Sequence, residues 1–286
     1  MKIDCIIPQG GTLKYLRKSV ESALNQKDFK FNKIIIFNDG GNEEEFKKAL
    51  DGLTIDIINS QTSVGAGIAR NILVEKSVAD YIVFLDHDDI LLDDYLKTII
   101  PYLDSNYCIQ GKRVYIGENE AKHGVKVLIK ILPSGFCVKK STFNKTRGFP
   151  SCCSEDLLFF AELEKYSSIK TIDKTLSLYR IHNAMQCQTK YDELLYCYLQ
   201  LNAYINKTKT GEEITNDYLN NNWRENKSLR RKLTGIKNRA KIQAFYASYL
   251  NNNKINIITS LLIPLIITTI VSPFVTLRFI KHILSK

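Results

Sequence analysis

The chain has 286 residues, 44% of them hydrophobic, enough to bury a large core as one large domain or two small ones. Its net charge of +10 is localised: residues 1–222 carry 28 Lys and Arg against 29 Asp and Glu, and residues 223–286 carry 12 against 1, which excludes a generally basic body. Seven cysteines, an odd number without CxxC spacing, point away from a disulfide framework and toward reduced thiols in a cytosolic compartment, and a strand expected at the very start predicts no signal peptide.

Ile3 to Pro8 reads as a first short strand closed by the turn Gln9-Gly10-Gly11. Thr12 is the expected N-cap of a helix with Leu13, Leu16, Val20 and Leu24 on one face. Lys33 to Phe37 forms a second strand ending in Asn38-Asp39-Gly40-Gly41, and a Glu- and Lys-rich helix follows over 43–48. Thr54 to Ile58 is a third strand, and Ser63 to Asn71 opens a helix running to about Ser77. Strand–helix alternation with short connections predicts a mostly parallel sheet with helices on both faces. The turns after strands one, two and four should then meet at one edge and form a nucleotide-sized crevice.

The fourth strand, Tyr81 to Leu85, runs straight into Asp86-His87-Asp88-Asp89. On an extended backbone residues i and i+2 share a face, so Asp86 and Asp88 are expected to project together while His87 faces away. Paired carboxylates of this kind suit a hard divalent cation whose remaining shell is water and phosphate. The alternative is a helix start, where the dipole favours acids, and Asp93 and Asp94 fit that reading. A dinucleotide fold fails on position and on residue. Its G-x-G-x-x-G belongs after the first strand, and here Gly65-x-Gly67 follows the third, with Arg70 in the last place.

Beyond Asp89 the pattern loosens. A helix end over Ile99 to Asp104, a strand over Tyr107 to Tyr115 and a loop over Gly117 to Gly124 are expected. A turn then enters a strand over Leu132 to Val138, followed by a loop at Gly148-Phe149-Pro150. A helix with acids in its first turn covers Ser154 to Leu163, and Thr171 to Ile181 is extended.

In this order the chain carries Ile6-Ile7-Pro8, Asn38-Asp39-Gly40, Gly65 with Ala69-Arg70-Asn71, the run Phe84 to Asp89, Gly148-Phe149, Glu155-Asp156 and Tyr179-Arg180-Ile181-His182. The series resembles glycosyltransferase family 2, inverting enzymes of GT-A fold that include bacterial polysaccharide and O-antigen types, over roughly residues 1–185. The resemblance implies a nucleotide-sugar donor, with a UDP-sugar favoured, an Mn2+ or Mg2+ ion, and a single displacement at the anomeric carbon. It implies that Asp39 bonds the base, that Arg70 reaches the nucleotide or its phosphates, and that Pro8 lies at the donor. Asp86 would face the ribose or the metal, Asp88 would ligate the metal, and His182 would approach the metal or the diphosphate. Asp156 would be the catalytic base with Glu155 beside it. Two positions depart from the family pattern: Gln9-Gly10-Gly11 replaces a hydrophobic-aromatic-Asn run, and Asn38 stands where a second Asp is usual.

The chemistry asks for these residue types independently. A departing nucleoside diphosphate gains negative charge, which a divalent ion and an Arg stabilise. The attacking hydroxyl loses a proton, which a carboxylate such as Asp156 can take. Each has a plainer reading: Asp156 as a helix-dipole acid, His182 as a surface residue, Arg70 as a solvated helix residue.

From Tyr191 to about Leu250 the chain reads as helical, with a polar loop over 206–222. Trp223 to Lys241 holds eight Lys or Arg and one Glu, a stripe suited to anionic lipid headgroups more than to nucleic acid. Ile255 to Leu277 is 23 residues without a charge, long enough to cross about 30 Å of hydrocarbon at about 1.5 Å per residue. Basic flanks at both ends and Pro264 and Pro273 favour a bent or interfacial helix as much as a span. A buried core helix is the alternative.

The expected organisation is a GT-A α/β catalytic domain (1–185), a helical basic connecting region (186–250) and a hydrophobic membrane-associated tail (251–286). The expected partners are membrane lipids and a lipid-linked oligosaccharide acceptor, at the cytoplasmic face of the inner membrane, with no nucleic acid. Two other classes remain. One is a haloacid-dehalogenase-type phosphotransferase with Asp86 as covalent nucleophile, and the other is a non-enzymatic membrane-surface or nucleic-acid binding protein.

Overall fold

The computed structural model describes residues 1–105, 107–120, 122–127, 132–152, 154–182, 196–197 and 200–220. The chain divides into two compact units, Met1–Asn216 and Asp217–Lys286. The basic stretch over 223–241 and the apolar run over 255–277 lie outside the described residues. Among the described residues no helix is long and apolar enough to cross a membrane.

The first unit begins with the expected alternation: β1 (Ile3–Gln9), α1 (Leu16–Leu24), β2 (Lys33–Asp39), α2 (Glu43–Ala49), β3 (Asp56–Ser60), α3 (Ala66–Lys76) and β4 (Tyr81–Phe84). There follow β5 (Ile90–Leu91), α4 (Tyr95–Leu103), β6 (Cys108–Ile116), β7 (Lys122–Val127), β8 (Phe136–Lys139), α5 (Lys140–Phe143), α6 (Glu155–Leu163) and β9 (Lys170–Arg180). Two short helices, α7 (Leu201–Ile205) and α8 (Gly211–Leu219), come last.

One sheet runs in the order β3-β2-β1-β4-β8-β6-β9-β5, with β7 paired to β6. Strands β3, β2, β1 and β4 are parallel. Beyond them β8 is antiparallel to β4 and β6, β6 and β9 are parallel, and β5 and β7 pair antiparallel to β9 and β6. The sheet is therefore mixed, and the expectation of a mostly parallel one holds only through β4. Helical crossovers impose parallel pairing, and the sequence after Asp89 no longer alternates strand with helix.

The parallel strands read as unbroken apolar runs because both faces are covered. Ile3, Cys5 and Ile7, with Ile34, Ile36, Tyr81 and Val83, pack against Leu16 and Val20 of α1 and Leu96 and Ile99 of α4. The alternate residues Ile6, Ile35, Phe37, Ile82 and Phe84 pack against Leu73 of α3 and Phe159 of α6. Period-two alternation thus feeds two separate cores.

Four local expectations are corrected. Thr12 is not the N-cap of α1, which starts at Leu16 behind Tyr15; its Oγ1 accepts from Lys14 N in the preceding turn, at 3.2 Å. The third strand sits two residues later than expected, over Asp56–Ser60. The loop expected over 117–124 gives way to β7 from Lys122. Within 206–222 the polar segment forms α8, fixed by a reciprocal cap: Glu213 N donates to Thr210 Oγ1 at 3.2 Å and Thr210 N to Glu213 Oε2 at 2.7 Å.

Candidate active site

Strand β1 has β2 on one side and β4 on the other, so the chain reverses its direction of growth there. Crevices at the carboxyl ends of strands at such a point are where open α/β sheets take ligands. The turns after β1, β2 and β4 do meet at this edge. A Cβ on Gly10 would lie 3.2 Å from Asp39 Oδ2, and one on Gly11 would lie 3.0 Å from His87 Nε2. The Gly10-Gly11 backbone therefore passes between the end of β2 and the turn after β4, where larger residues would crowd both. Pro8 is buried in β1 opposite Phe37, two residues past the last pair with β4, where its missing N–H leaves no ladder partner wanting.

Asp39 is buried and accepts from the Ser63 hydroxyl at 2.9 Å, from Gly65 N at 2.9 Å and from Val64 N. Its carboxylate thus fixes the loop that leads into α3. Asn38 does the same for its own turn: its Oδ1 accepts from Gly41 N at 3.1 Å and its Nδ2 donates to Asn59 Oδ1 at 3.1 Å. Gln9 donates through Nε2 to Gly11 O at 2.7 Å. Its buried Oε1 has no partner among the described residues. The two positions that depart from the family pattern are thus structural amides at the rim of the crevice.

Strand β4 ends at Phe84, and Asp86 to Asp89 is a turn closed by Asp89 N donating to Asp86 O at 3.1 Å. The expectation that an extended backbone sets Asp86 and Asp88 on one face and His87 on the other is corrected, because the residues are not extended. Each carboxylate is placed by a partner from elsewhere in the chain. Asp86 Oδ1 accepts from Arg70 Nη2 at 2.7 Å, and Asp88 Oδ2 lies 2.8 Å from His182 Nε2. Asp89, which sequence reasoning did not single out, is 2% exposed and accepts from the Arg180 backbone N–H at 2.8 Å. Burial, then the charges of Asp88 and Asp86, hold its carboxyl well above the usual range.

Arg70 is buried, with Nη1 on Glu155 Oε1 at 2.8 Å and Nη2 on Asp86. Both terminal nitrogens are thus engaged with protein carboxylates. At the next position of α3, Asn71 grips the Phe149 backbone at both ends, its Oδ1 accepting from Phe149 N and its Nδ2 donating to Phe149 O, each at 2.8 Å. Gly148 has φ +74°, and a Cβ there would stand 2.6 Å from Asn71 Oδ1. Gly67 is needed for close approach, since its Cβ would stand 2.9 Å from Glu155 Cγ. Helix α3 therefore sets the position of the 148–156 loop and the start of α6. Asp156 follows Glu155 there, partly exposed, with Oδ1 accepting from Leu157 N at 2.7 Å. Burial pushes the Glu155 carboxyl up to about 7, Arg70 opposing and Asp156 adding to the rise. Of the two acids, Glu155 is buried and Asp156 is the partly exposed one.

The site thus brings Asp86, Arg70 and Glu155 into direct contact, and Asp88 and His182 into another. Among the described residues no group of three or more His, Cys, Asp or Glu side chains is gathered to hold a metal ion. Asp86 and Asp88 each keep one carboxylate oxygen with no partner among the described residues. That donor set does not make an all-protein cage. It fits a hard cation shared between one or two carboxylates and substrate phosphates. The residues missed from sequence, Asp89 and Arg180, stood inside quoted motifs, but nothing local told that both would be buried.

The residues matched by the family model "Glycosyl transferase family 2" are 4–158. An "Uncharacterized glycosyltransferase" of Haemophilus influenzae is 24% identical over 231 residues, covering 73% of this chain and 90% of that one. The poly(ribitol-phosphate) beta-N-acetylglucosaminyltransferase TarP of Staphylococcus aureus is 26% identical over 230 residues, 77% of this chain and 65% of that one. Among solved structures, S. aureus TarS in complex with UDP-GlcNAc superposes with a TM-score of 0.57 at 17% identity, covering 71% of this chain and 67% of that one. The last shows the shared fold, a mixed α/β sheet of GT-A type. With more than half its length, residues 4–158, under the family model, the chain belongs to glycosyltransferase family 2.

Proposed function

We propose that the protein moves one sugar, with inversion, from a UDP-sugar to a lipid-linked saccharide acceptor during synthesis of a bacterial surface polysaccharide. The observation that carries this reading is the Arg70 bridge. It ties the acidic turn at the end of β4 to the start of α6, so that a donor-side carboxylate and the partly exposed Asp156 belong to one rigid assembly. The UDP-GlcNAc bound by TarS supports a uridine nucleotide donor. The name of TarP, which acts on a poly(ribitol-phosphate), supports a surface-polymer acceptor. Membrane association at the cytoplasmic face rests on the charge balance of residues 223–286 and on the uncharged run over 255–277. The phosphotransferase alternative needs Asp86 as a nucleophile, and one oxygen of its carboxylate is instead held by the buried Arg70.

A divalent cation, Mn2+ or Mg2+, bound at Asp88 with Asp86 beside it would supply positive charge against the leaving diphosphate. Asp156 takes the proton of the acceptor hydroxyl as that oxygen bonds to the anomeric carbon, and the bond from that carbon to the diphosphate oxygen breaks. Arg70, neutralised by two carboxylates, orients Asp86 and Glu155 instead of reaching the phosphates. His182 fixes the Asp88 carboxylate through Nε2.

A panel of nucleoside diphosphates and their sugars, each with and without Mn2+ or Mg2+, tests the donor. A ligand that binds only the folded state raises its melting temperature, and a metal-dependent rise with UDP or a UDP-sugar is expected. No rise with any member of the panel would remove the donor assignment. Asp88→Ala should abolish the metal-dependent part, and an unchanged rise would remove Asp88 from the metal.

A further inference from the structure

We propose that Arg180 is a positioning residue for the donor turn, setting Asp88 through its main chain while His182 sets the same residue through its side chain; this rests on the reading of Asp88 as the metal-side carboxylate. Arg180 is 1% exposed and ranks among the largest fully buried side chains. Its Nε donates to Asp88 O at 2.9 Å, and its backbone N–H donates to Asp89 Oδ1 at 2.8 Å. His182, two residues on, meets Asp88 Oδ2 at 2.8 Å. The end of β9 therefore grips both the carbonyl and the carboxylate of one residue, and the carboxylate of the next.

The rest of the guanidinium faces outward from the turn. Nη2 lies 3.3 Å from Glu120 Oε1, and Nη1 lies 3.4 Å from the carbonyl oxygens of Gly117 and Glu118. The guanidinium carbon stands 4.5 Å from the Tyr15 ring, which also packs on His182 at 5.2 Å. The β6–β7 loop that supplies these oxygens is tied to the entry of α1 by Lys14–Glu118 at 2.7 Å and Lys18–Glu120 at 2.6 Å. One planar fork thus joins the donor turn, the β6–β7 loop and the start of α1.

Electrostatics gives the arrangement its purpose. Three carboxylates in four positions repel one another, and a turn carrying them would spread when no cation lies between them. Arg70 offsets the charge at Asp86, and Arg180 holds the other end at Asp88 and Asp89. Ligating carboxylates are oriented by outer hydrogen-bond partners whose loss weakens metal binding by about 10- to 100-fold. A lysine keeps the charge but not the fork, and one ammonium cannot span Asp88 O and Glu120 together.

The test is calorimetry of UDP binding across an Mn2+ series, with the electron paramagnetic resonance signal of free Mn2+ as a second readout of occupancy. Arg180→Lys is expected to weaken Mn2+ binding in the presence of UDP by about 10-fold or more, while kcat at saturating Mn2+ stays within a few-fold of wild type. Glu120→Gln, which releases only the outer arm, is expected to weaken it by about two- to fivefold, as a half-exposed ion pair would. If Arg180→Lys does not fold, Glu120→Gln and Tyr15→Leu decide the matter by the same readout. Wild-type Mn2+ affinity in the folded variants overturns the proposal, as does a loss of kcat at saturation without a change in Mn2+ affinity. If the wild type shows no metal-dependent UDP binding, the donor reading itself falls and the role of Arg180 falls with it.

Discussion

Arg70 Nη1 and Glu155 Oε1 lie 2.8 Å apart, both side chains less than a tenth exposed, and they join α3 to α6 across 85 positions of sequence. The same guanidinium holds Asp86 on its other nitrogen at 2.7 Å. Removing the cation leaves two carboxylates facing each other with one of them buried. Arg70→Leu is therefore expected to destabilise the fold by about 3–5 kcal/mol, the cost of breaking a buried pair from one side. Urea unfolding of the two proteins checks this, and a loss below about 1 kcal/mol would place the pair among weak surface pairs.

Glu155 makes stability depend on pH in a direction opposite to that of most paired acids. Burial raises its carboxyl from 4.5 to about 7, despite Arg70. The folded state therefore binds the proton more tightly than the unfolded chain does. The stability this contributes is complete below about 4.5 and is lost as pH rises through about 7. Glu155→Gln cannot titrate and still accepts from Arg70. The unfolding free energy of the wild type minus that of Glu155→Gln should fall across this window and be flat above it. A difference that is constant with pH, or rises, would contradict the burial argument.

What the sequence disclosed follows from what each signal depends on. The runs Ile3 to Pro8, Lys33 to Phe37 and Tyr81 to Leu85 were legible because strands covered on both faces must be apolar throughout. The convergence of their turns followed from connection rules alone. The turn at Asp86 was not legible. It is shaped by Arg70, His182 and Arg180, which act from 16 to 94 positions away. A period-two argument also ends where the strand ends. The same distance hid the difference between Glu155 and Asp156, which are adjacent and chemically alike until packing buries one. Helix α8 did carry a local signal, since Thr210 and Glu213 stand at capping-box spacing, outweighed by the polar composition around it. Strand β7, Lys122–Val127, carries Lys, His and Gly in place of an apolar run.

Asn71 and Gly148 make a separate prediction about the loop before α6. Asn71→Ala leaves the buried N–H and C=O of Phe149 without their side-chain partners, at a cost of about 1–3 kcal/mol for each group left unsatisfied. Gly148→Ala combines a left-handed backbone with a Cβ 2.6 Å from Asn71 Oδ1. Both variants should lower the melting temperature and reduce transfer more than donor binding, because the loop carries Asp156 and not the turn after β4. Equal losses in both measurements would mean that the loop also shapes the donor side of the site.

The C-terminal region can be removed at a place the structure indicates. A cut near residue 206 would spare Tyr204, which stacks on Arg147 at 4.0 Å, but would delete α8, where Ile214 is buried and Gly211 fits against Pro150. A chain ending at residue 222 keeps these contacts and removes a segment with 12 basic residues and one acid. It should remain folded by circular dichroism and leave the membrane fraction, where the full chain is expected. Retention of the shortened chain by membranes, or full-length protein free of them, would refute the tail as anchor.

Asp156 carries the prediction on which the chemistry turns. It sits in the first turn of α6, directly after a residue locked to Arg70, so its backbone cannot drift relative to Asp86. Its own side chain touches the Leu157 N–H and is only partly buried, so an incoming hydroxyl can reach it. Asp156→Asn preserves this shape and removes the basicity. Binding of UDP with Mn2+ should be unchanged, since no donor-side residue is altered, while transfer falls by roughly 10²- to 10⁴-fold, the usual contribution of a positioned base. Because attack comes from the face opposite the departing diphosphate, NMR should show a product with the anomeric configuration reversed from that of the donor. Glu155→Gln should behave differently, since it can still accept from Arg70 and leaves the base in place, with a smaller fall in kcat. Near-normal turnover in Asp156→Asn would remove it as the base, and retained configuration would remove single displacement as the mechanism.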